Sequence, residues 1–339
     1  MIVRFGFVAM TTLLENISPS RTMTFASFSK LQDREAGIRK LERIANDNLQ
    51  STLRIMKHAA AHDIQMYRLS SKLIPLATHS DLAEWDPYPA LRTSFEELGA
   101  YVQKTGMRIS FHPDHFCVLS TPRPEVLINS KKDLDYHIRM LEMIGVTEAV
   151  KCNIHIGGAY GDKTTSGERF IEQFKAMPPR YKHRITLEND DKTFNARETI
   201  AAAEAVGVPM VLDIHHHAVN DGGDTSNDEL CRGIWPRILQ TWKLEEQRLG
   251  LASGELPPKI HASSPKSLSD PRGHADYVEA EPLVQFLRRI AESTPRVDCM
   301  LEAKAKDAAL LKLMEDLKAM ELRGEGIRVI DGASVEFIP

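Results

Sequence analysis

Short apolar runs alternate with longer amphipathic segments along this chain of 339 residues. The runs are rich in β-branched and aromatic residues, a composition typical of buried strands, and the first of them is Ile2–Val8. Seven further runs of this kind read IQMYRLSS, RISFH, VKCNIH, RITLEND, MVLDIHH, PKIHASS and DCMLEAK. Strands that alternate with helices predict an α/β fold built on a parallel sheet.

The segments between the runs have helical spacing, because their apolar residues recur at intervals of three and four. The helical faces predicted in this way consist of Ile38, Leu41, Ile44, Ala45, Leu49, Leu53 and Met56, of Leu134, Ile138 and Leu141, of Leu283, Phe286, Leu287 and Ile290, and of Leu310, Leu311, Met314 and Leu317. Two pairs with the spacing of a capping box, Thr165 with Glu168 and Asn195 with Glu198, mark helix starts. Left-handed helix ends are predicted at three glycines, Gly106, Gly145 and Gly207.

Nearly every run delivers a potential metal ligand at or just after its carboxyl end. These residues are His79, His112, His155, Glu188, Asp213, His216, His261 and Glu302. In a closed barrel of eight βα units the carboxyl ends of the strands surround one site, so the pattern predicts a single TIM (β/α)8 barrel with a metal site at that face. A doubly wound open sheet is the structural alternative, but no GxGxxG motif follows the first run.

The chain is predicted to form one domain over residues 1–339, because no repeat, low-complexity tract or shift in composition divides it. Residues 221–257 are longer than a minimal βα unit and are expected to hold one long helix, around 234–249, between loops rich in glycine, serine and proline. This segment is therefore interpreted as a longer βα insertion in the barrel.

Composition narrows the class of protein. Hydrophobic residues make up 42% and charged residues 27% of the chain, as in a globular protein with ample material for a core. The four cysteines form no CxxC pair, which argues against a disulfide framework or a thiolate zinc site and favours a cytoplasmic protein. The apolar start lacks the basic residues and cleavage site of a signal peptide, and no apolar run is long enough to span a membrane. A net charge of −4 is unusual for a nucleic-acid binder, but bound divalent ions would add positive charge where a phosphate must lie.

The types of ligand indicate a divalent metal centre, because imidazoles and carboxylates occur together without paired thiols. Glu188 and Glu302 end two predicted strands, where a buried carboxylate is unfavourable unless it meets a cation. Glu188 could bridge two ions, since a carboxylate has two oxygens. His274 lies in a predicted loop, PRGHADY. Four other histidines, His58, His62, His137 and His183, are expected to have ordinary structural roles.

Several motifs closely resemble those of the UV damage endonucleases. They are FHPDHF (111–116), NIHIGGAYG (153–161), TLENDDKT (186–193), LDIHHH (212–217), PKIHASSPK (258–266), HADY (274–277) and LEAKAKD (301–307), with RFGFV, SPSRTMTFAS and YRLSSKLIPLATH nearer the start. The resemblance covers essentially the whole chain. It implies a TIM barrel related to the endonuclease IV type of apurinic endonuclease, which uses up to three divalent ions, typically manganese. Such an enzyme nicks DNA on the 5′ side of pyrimidine dimers and (6-4) photoproducts.

The resemblance also implies which side chains carry the chemistry. The implied metal ligands are His79, His112, His155, Glu188, Asp213, His216, His261, His274 and Glu302. Lys259 matches a position at the family's metal site, and because an ammonium group cannot ligate a cation, it is expected either to contact phosphate or to be a carbamate-bearing ligand. Glu188, Lys259 and Glu302 are the predicted catalytic residues. Manganese is the expected ion, although magnesium, zinc and cobalt suit the same ligands.

Lesion recognition is assigned to four residues. In the family a polar residue and an aromatic residue follow the histidine of the third strand and resemble a probe that fills the gap left by an extruded lesion. Here that pair is His115 and Phe116, and the histidine departs from the glutamine often found at its position. Tyr160 is expected to face the DNA or its phosphates, with Gly157 and Gly158 allowing close approach. Asn16 is expected to contact the lesion.

The predicted reaction is hydrolysis by a metal-activated hydroxide, which leaves a 3′-hydroxyl and a 5′-phosphate. A damaged dinucleotide stacks and pairs badly, so its extrusion from double-stranded DNA costs less than that of intact bases. Abasic sites are a further candidate substrate, and a monomer is expected because the DNA groove needs no partner subunit. Two alternatives are a sugar isomerase or epimerase on the same type of barrel, and a non-catalytic sensor of DNA damage.

Overall fold

The computed structural model describes residues 1–113, 117–223 and 226–338. Its strands are β1 (Ile2–Val8), β2 (Met66–Arg68), β3 (Arg108–Ser110), β4 (Cys152–His155), β5 (Ile185–Glu188), β6 (Met210–Asp213), β7 (Lys259–Ala262), β8 (Pro265–Ser267), β9 (Asp270–His274), β10 (Arg296–Leu301), β11 (Ile327–Asp331) and β12 (Ser334–Phe337). Its helices are α1 (Phe25–Phe28), α2 (Arg34–Ala61), α3 (Tyr88–Thr105), α4 (Pro124–Ile144), α5 (Lys163–Lys175), α6 (Pro179–Lys182), α7 (Ala196–Val206), α8 (Ile214–Val219), α9 (Asn227–Glu229), α10 (Trp235–Leu249), α11 (Ala280–Ile290) and α12 (Lys306–Leu322).

Eight parallel strands form the barrel, in the order β1, β2, β3, β4, β5, β6, β7 and β10, and β10 returns to pair with β1. The seam between β3 and β4 is held by a single bridge between Phe111 and Cys152. Two backbone bonds close it, from the amide of Phe111 to the carbonyl of Lys151 (3.1 Å) and from the amide of Asn153 to the carbonyl of Phe111 (2.9 Å). The predicted TIM barrel is confirmed, with each apolar run supplying one strand.

Two antiparallel hairpins were not predicted from the sequence. β11 and β12 add to the early half of β1, where β12 pairs with Ile2, Val3 and Arg4, while β2 pairs with β1 only at Phe7 and Val8. β8 and β9 form a separate two-stranded sheet after β7. The residues of β8 are all exposed, so no buried apolar run announces it. His274 therefore ends a strand and does not lie in the loop expected for PRGHADY.

The predicted helices are found, and most of their boundary signals hold. Asn195 and Glu198 form the expected capping box at the start of α7. The capping box predicted for Thr165 and Glu168 is wrong, because α5 begins two residues earlier and the carboxylate of Asp162 accepts the amide of Thr165. Left-handed helix ends occur at the three predicted glycines, Gly106, Gly145 and Gly207. No helix formed by the described residues combines the length and the apolar composition needed to cross a membrane.

Buried charges occupy the amino-terminal half of the barrel interior, beneath the carboxyl ends of the strands. Asp298 accepts two bonds from Arg4, each of 2.8 Å, and one of 2.6 Å from Arg108. Arg108 also donates to the carbonyl of Pro257 (2.7 Å) and lies over the ring of Trp242. We call Arg4, Arg108 and Asp298 the floor cluster. Its carboxylate is fully satisfied, as a buried ion pair requires.

Candidate metal centre

Strand register brings the predicted ligands of adjacent strands side by side. His155 on β4 is opposite Glu188 on β5, and Asp213 on β6 is opposite His261 on β7. Glu302 follows the last residue of β10, and its amide bonds to the carbonyl of Ala262 at the end of β7. Side chains that are far apart in the sequence therefore converge at the carboxyl-terminal face of the barrel.

The convergence produces two groups of potential ligands that share one carboxylate. In each group the ligand atoms all lie within 4.8 Å of one another. The first group is His112, His155 and Glu188, and the second is Glu188, Asp213, His261 and Glu302. We call these six residues the mouth cluster. Since the two oxygens of Glu188 face different groups, its geometry suits a carboxylate that bridges two cations.

Hydrogen bonds fix the orientation of four imidazoles around the cluster. In each of them Nδ1 donates to a backbone carbonyl. The bonds run from His112 to Pro113 (3.0 Å), from His155 to Glu188 (3.2 Å), from His216 to Asn189 (2.9 Å) and from His274 to Glu302 (2.7 Å). A proton on Nδ1 leaves the lone pair on Nε2, which is the arrangement that metal-binding histidines usually have.

Buried carboxylates outnumber the permanent cations at this site. Glu188 and Asp213 are fully buried, and Glu302 is nearly so, whereas Arg68 is the guanidinium in contact with the cluster, through an ion pair with Glu302. Burial opposes the ionisation of Glu188, but the charge of His261 and other histidine contacts outweigh it and hold the pKa of this carboxyl well below its ordinary value. The carboxylate of Glu188 is therefore charged.

Asp213 has the opposite shift and an unsatisfied oxygen. Its Oδ1 accepts the amide of His216 (2.7 Å), so the side chain caps α8, but its buried Oδ2 has no hydrogen-bond partner. Burial raises the pKa of Asp213, and repulsion from Glu188 and Glu302 adds to the rise. A buried acceptor that lacks a donor is costly, and a cation would satisfy it. The donor set thus fits a divalent metal.

Two histidines respond to this excess of negative charge. Burial by itself lowers the pKa of His261, but Glu188 and Glu302 raise it to about 9, and both carboxylates lie 3.0 Å from Nδ1 of the ring. His216 behaves alike, since Asp213 and Glu188 overcome its burial and raise its pKa to about 9. In the absence of metal, protons on these imidazoles take the place of cations, and metal binding must release them.

Three residues around the cluster were not among the predicted ligands. Asn153 on β4 donates its side-chain amide to Glu188 and accepts from Thr186 (2.8 Å). The amide of Asn189 exchanges bonds with the backbone of Asp213, at 2.9 and 3.0 Å. Asn153 lies in the motif NIH and Asn189 in the motif LEND. Their closeness in sequence to a predicted ligand is the signal that could have identified them. Arg68, the last residue of β2, forms an ion pair with Glu302.

His79 and His274 differ in how they relate to the cluster. His274 lies beside it, with ring centroids 5.4 Å from His215 and 6.1 Å from His216. His79, like His216 and His274, belongs to neither of the two ligand groups in the described part of the chain. Its ring stacks on Phe25 with centroids 4.0 Å apart, and its Nδ1 accepts the amide of Asp81 (3.2 Å). The assignments of His79, His216 and His274 as ligands stay predictions.

Lys259 begins β7 in register with Asp298 of the floor cluster. Its side chain is buried, and burial together with the charges of Arg108 and Arg68 lowers its pKa well below the ordinary value. A buried lysine of this kind favours the neutral amine.

The predicted lesion contacts are only partly described. Asn16 is exposed on the loop after β1 and has a left-handed backbone with φ of 58°. Tyr160 is partly exposed, also with positive φ. A Cβ on Gly157 would lie 2.5 Å from Val118, so packing within the protein explains this glycine. His115 and Phe116 lie outside the described residues.

This chain is similar over nearly its whole length to proteins of one family. The sequence profile of a family described as "UV-endonuclease UvdE" matches residues 3–337. A "UV DNA damage endonuclease" of Bacillus velezensis is 42% identical over 337 residues, which is 99% of both chains. The solved structure titled "Crystal Structure of SacUVDE" superposes with a TM-score of 0.78 at 28% identity, over 94% of this chain and 99% of that one. Endonuclease IV from Thermus thermophilus, at 15% identity over 93% and 99% of the two chains, shares the fold with a TM-score of 0.52.

Proposed function

Because this chain belongs to the UV-endonuclease UvdE family, whose members are enzymes that nick DNA in repair, we propose that it hydrolyses the phosphodiester 5′ to UV photoproducts. The substrates are double-stranded DNA that contains cyclobutane pyrimidine dimers or (6-4) photoproducts, with abasic sites as a further candidate. The products are a 3′-hydroxyl and a 5′-phosphate.

The observation that carries this proposal is the pair of ligand groups joined by Glu188. His112 and His155 would hold one cation with it, and Asp213, His261 and Glu302 would hold a second. His216, His274 and His79 would hold a third cation. Nδ1 of His216 and of His274 bonds to a backbone carbonyl, which leaves Nε2 as the ligand atom of each. We propose manganese as the ion, with magnesium, zinc or cobalt as substitutes.

The bound cations would neutralise the phosphate and acidify a water molecule toward neutral pH. The protein's own residues position this chemistry. Glu188 and Glu302 set the spacing of the ligand groups, and the guanidinium of Arg68 keeps the carboxylate of Glu302 charged. A side-chain nucleophile is not required. Burial raises the pKa of the Cys152 thiol to about 12, so it is inert as a nucleophile.

Lys259 is proposed as a carbamate-bearing ligand. Its lowered pKa favours the neutral amine, which is the form that adds carbon dioxide and loses a proton to give a carbamate. The burial of the side chain supports this role over a contact with phosphate, because DNA must remain at the surface of the barrel.

Lesion selection is proposed to depend on extrusion of the damaged dinucleotide, which stacks poorly. Asn16 and Tyr160, both accessible at the carboxyl-terminal face, are proposed lesion contacts, and His115 with Phe116 is the proposed probe pair. We propose that residues 1–339 act as one domain and as a monomer. The four unpaired cysteines fit a reducing cytoplasm.

The test is nicking of supercoiled plasmid with and without UV irradiation, in the presence of manganese. The protein should convert only irradiated plasmid to nicked circles. Loss of a residue that merely supports a ligand typically costs ~10–100-fold, so Glu188→Gln should lower the rate by more than about a hundredfold. The control is Glu204→Gln, since Glu204 is a surface carboxylate paired with Arg237. Binding of damaged DNA without nicking would instead indicate a sensor.

A further inference from the structure

The β8–β9 hairpin carries a leucine that no part of the protein covers. It emerges after β7, the strand of His261, and its turn consists of Ser267, Leu268, Ser269 and Asp270. The side chain of Leu268 is fully exposed, with a relative accessibility of 104%. Scattered exposed leucines are common, but a fully exposed one at the tip of a projecting hairpin makes no contribution to folding.

Local bonds hold this tip in a defined shape. The hydroxyl of Ser267 accepts the amide of Asp270 (3.0 Å) and lies 3.0 Å from the hydroxyl of Ser269. The carboxylate of Asp270 accepts the amide of Gly273 (3.1 Å), and a Cβ on Gly273 would lie 2.5 Å from that carboxylate. Leu268 is therefore presented on a braced turn, which reduces the entropy lost when a partner covers it.

The hairpin is tied to the walls of the metal centre on three sides. Nδ1 of His274 donates to the carbonyl of Glu302 (2.7 Å). Nε of Arg272 donates to the carbonyl of Asp191 (3.2 Å), and the carbonyl of Arg272 lies 3.5 Å from Nε2 of His215. These bonds fix the position of the hairpin relative to the mouth cluster. A duplex whose phosphate lies at the cluster would meet the hairpin at a constant offset.

The charge of the hairpin suits a polyanion. Lys266 and Arg272 stand on the two strands, and each side chain is about half exposed, at 53% and 54%. Lys266 lies 3.4 Å from the carboxylate of Asp270 and Arg272 lies 3.9 Å from that of Asp191, but both pairs are accessible to solvent, so that phosphates can compete for the two cations. Cations on both sides of an exposed apolar tip match the arrangement by which proteins grip phosphates and insert an apolar side chain between base pairs.

We propose that Leu268 enters the base stack of the substrate duplex beside the extruded lesion, while Lys266 and Arg272 contact the flanking phosphates. The hairpin is thus a second wedge, separate from the residues after β3. This inference rests on the proposed function, because it takes damaged duplex DNA as the ligand of the mouth cluster. It assigns Leu268 to lesion specificity and leaves the chemical step to the cluster.

The experiment compares the manganese-loaded wild type with Leu268→Ala and Leu268→Met on a duplex that contains one cyclobutane dimer and a neighbouring 2-aminopurine. Burial of a leucine side chain is worth roughly a tenfold change in binding or more, so Leu268→Ala should raise KM about tenfold and change kcat less. Stopped-flow fluorescence within the first turnover should show a smaller rise for Leu268→Ala. Leu268→Met, which keeps an apolar side chain, should retain most of both signals.

The matched control is Leu322→Ala. Leu322 is also highly exposed, but it ends α12, and the last turn of that helix lies at the opposite face of the barrel. It should leave KM and fluorescence unchanged. The proposal is overturned if Leu268→Ala behaves like this control, or if KM rises while the 2-aminopurine signal is that of the wild type. If the wild type does not nick dimer-containing DNA at all, the failure belongs to the proposed function.

Discussion

Two clusters of buried charge lie inside one barrel, and they differ in whether the protein's own side chains satisfy their carboxylates. In the floor cluster the carboxylate of Asp298 meets the guanidinium groups of Arg4 and Arg108 within 2.8 Å. The mouth cluster contains three carboxylates, of which Glu302 pairs with the guanidinium of Arg68, whereas Oδ2 of Asp213 has no hydrogen-bond donor. The carboxylate of the floor cluster is satisfied by protein donors, whereas the mouth cluster has more buried acceptors than donors.

The difference shows how a buried site for a cation can be distinguished from a structural ion pair. Both clusters contain ionised groups with shifted pKa values, so a shift alone does not separate them. A structural pair satisfies its charges with the protein's own side chains. In the mouth cluster the surplus of carboxylates instead raises the pKa of His261, and that of the neighbouring His216, to about 9. The surplus of acceptors is the sign of the metal centre.

The largest effect that tests this contrast is expected at the floor. Asp298→Asn should lower the free energy of unfolding by about 3–5 kcal/mol, because Arg108 would keep a buried charge without its partner. Burial alone would raise the pKa of Asp298, but Arg108 and Arg4 outweigh it and lower the pKa. The stabilisation is therefore full above about pH 4, the unfolded value, and is lost as pH falls through the lower native value. Urea unfolding at a series of pH values measures both.

The control for this variant is Asp316→Asn, which removes an exposed partner of Lys312 on α12. Its effect should stay below about 1 kcal/mol, since surface ion pairs contribute little. A loss for Asp298→Asn no larger than that of the control would show that the floor cluster is not a structural ion pair.

The next effect concerns the mouth cluster. The binding of cations there should stabilise the folded protein. Adding manganese to chelator-treated protein should raise the free energy of unfolding by about 2.7 kcal/mol at a hundred times Kd, because the metal binds only the folded state. Asp298→Asn should show the same increment, and Glu188→Gln should lose most of it. Urea unfolding with and without metal measures the increments. An increment that vanishes in the floor variant would mean that the two clusters are one energetic unit.

The sequence was informative wherever burial alone determines the structure. Each barrel strand is an apolar run, and the carboxyl-terminal position of a ligand such as Glu188 or His261 follows from the fold. Two hairpins were missed. β8 is exposed and carries no apolar run. β11 and β12 are short strands, and their alternating apolar residues, such as Ile327, Val335 and Phe337, were overlooked after the last barrel helix. The expected loop at His274 is part of such a hairpin.

The hydrogen-bond partners of the site side chains could not be predicted from the sequence, because they depend on the register of neighbouring strands. The pairing of Asn153 with Thr186 aims its amide at Glu188, and this requires β4 and β5 to align as they do. The proton on Nδ1 of each imidazole is set by a carbonyl from a neighbouring segment, which no spacing reveals. The ring of His79 packs on Phe25 of α1, a residue far from it in the sequence.

The smallest effect comes from replacing an aspartate by asparagine in the mouth cluster. Its effect on the free energy of unfolding should have the opposite sign to that of Asp298→Asn in the floor cluster. In chelator-treated protein Asp213→Asn should raise the free energy of unfolding by about 1 kcal/mol, since burial and repulsion from Glu188 and Glu302 outweigh the attraction of His216 for this carboxylate. The amide oxygen can still accept the backbone bond from His216 that caps α8.

The raised pKa of Asp213 means that the wild type loses stability as pH rises through that value, and the variant escapes this loss. Urea unfolding at a series of pH values measures the difference. With saturating manganese the order must reverse, because the variant lacks a ligand. A variant that is less stable than the wild type without metal would show that Asp213, like Asp298, is held by the protein alone.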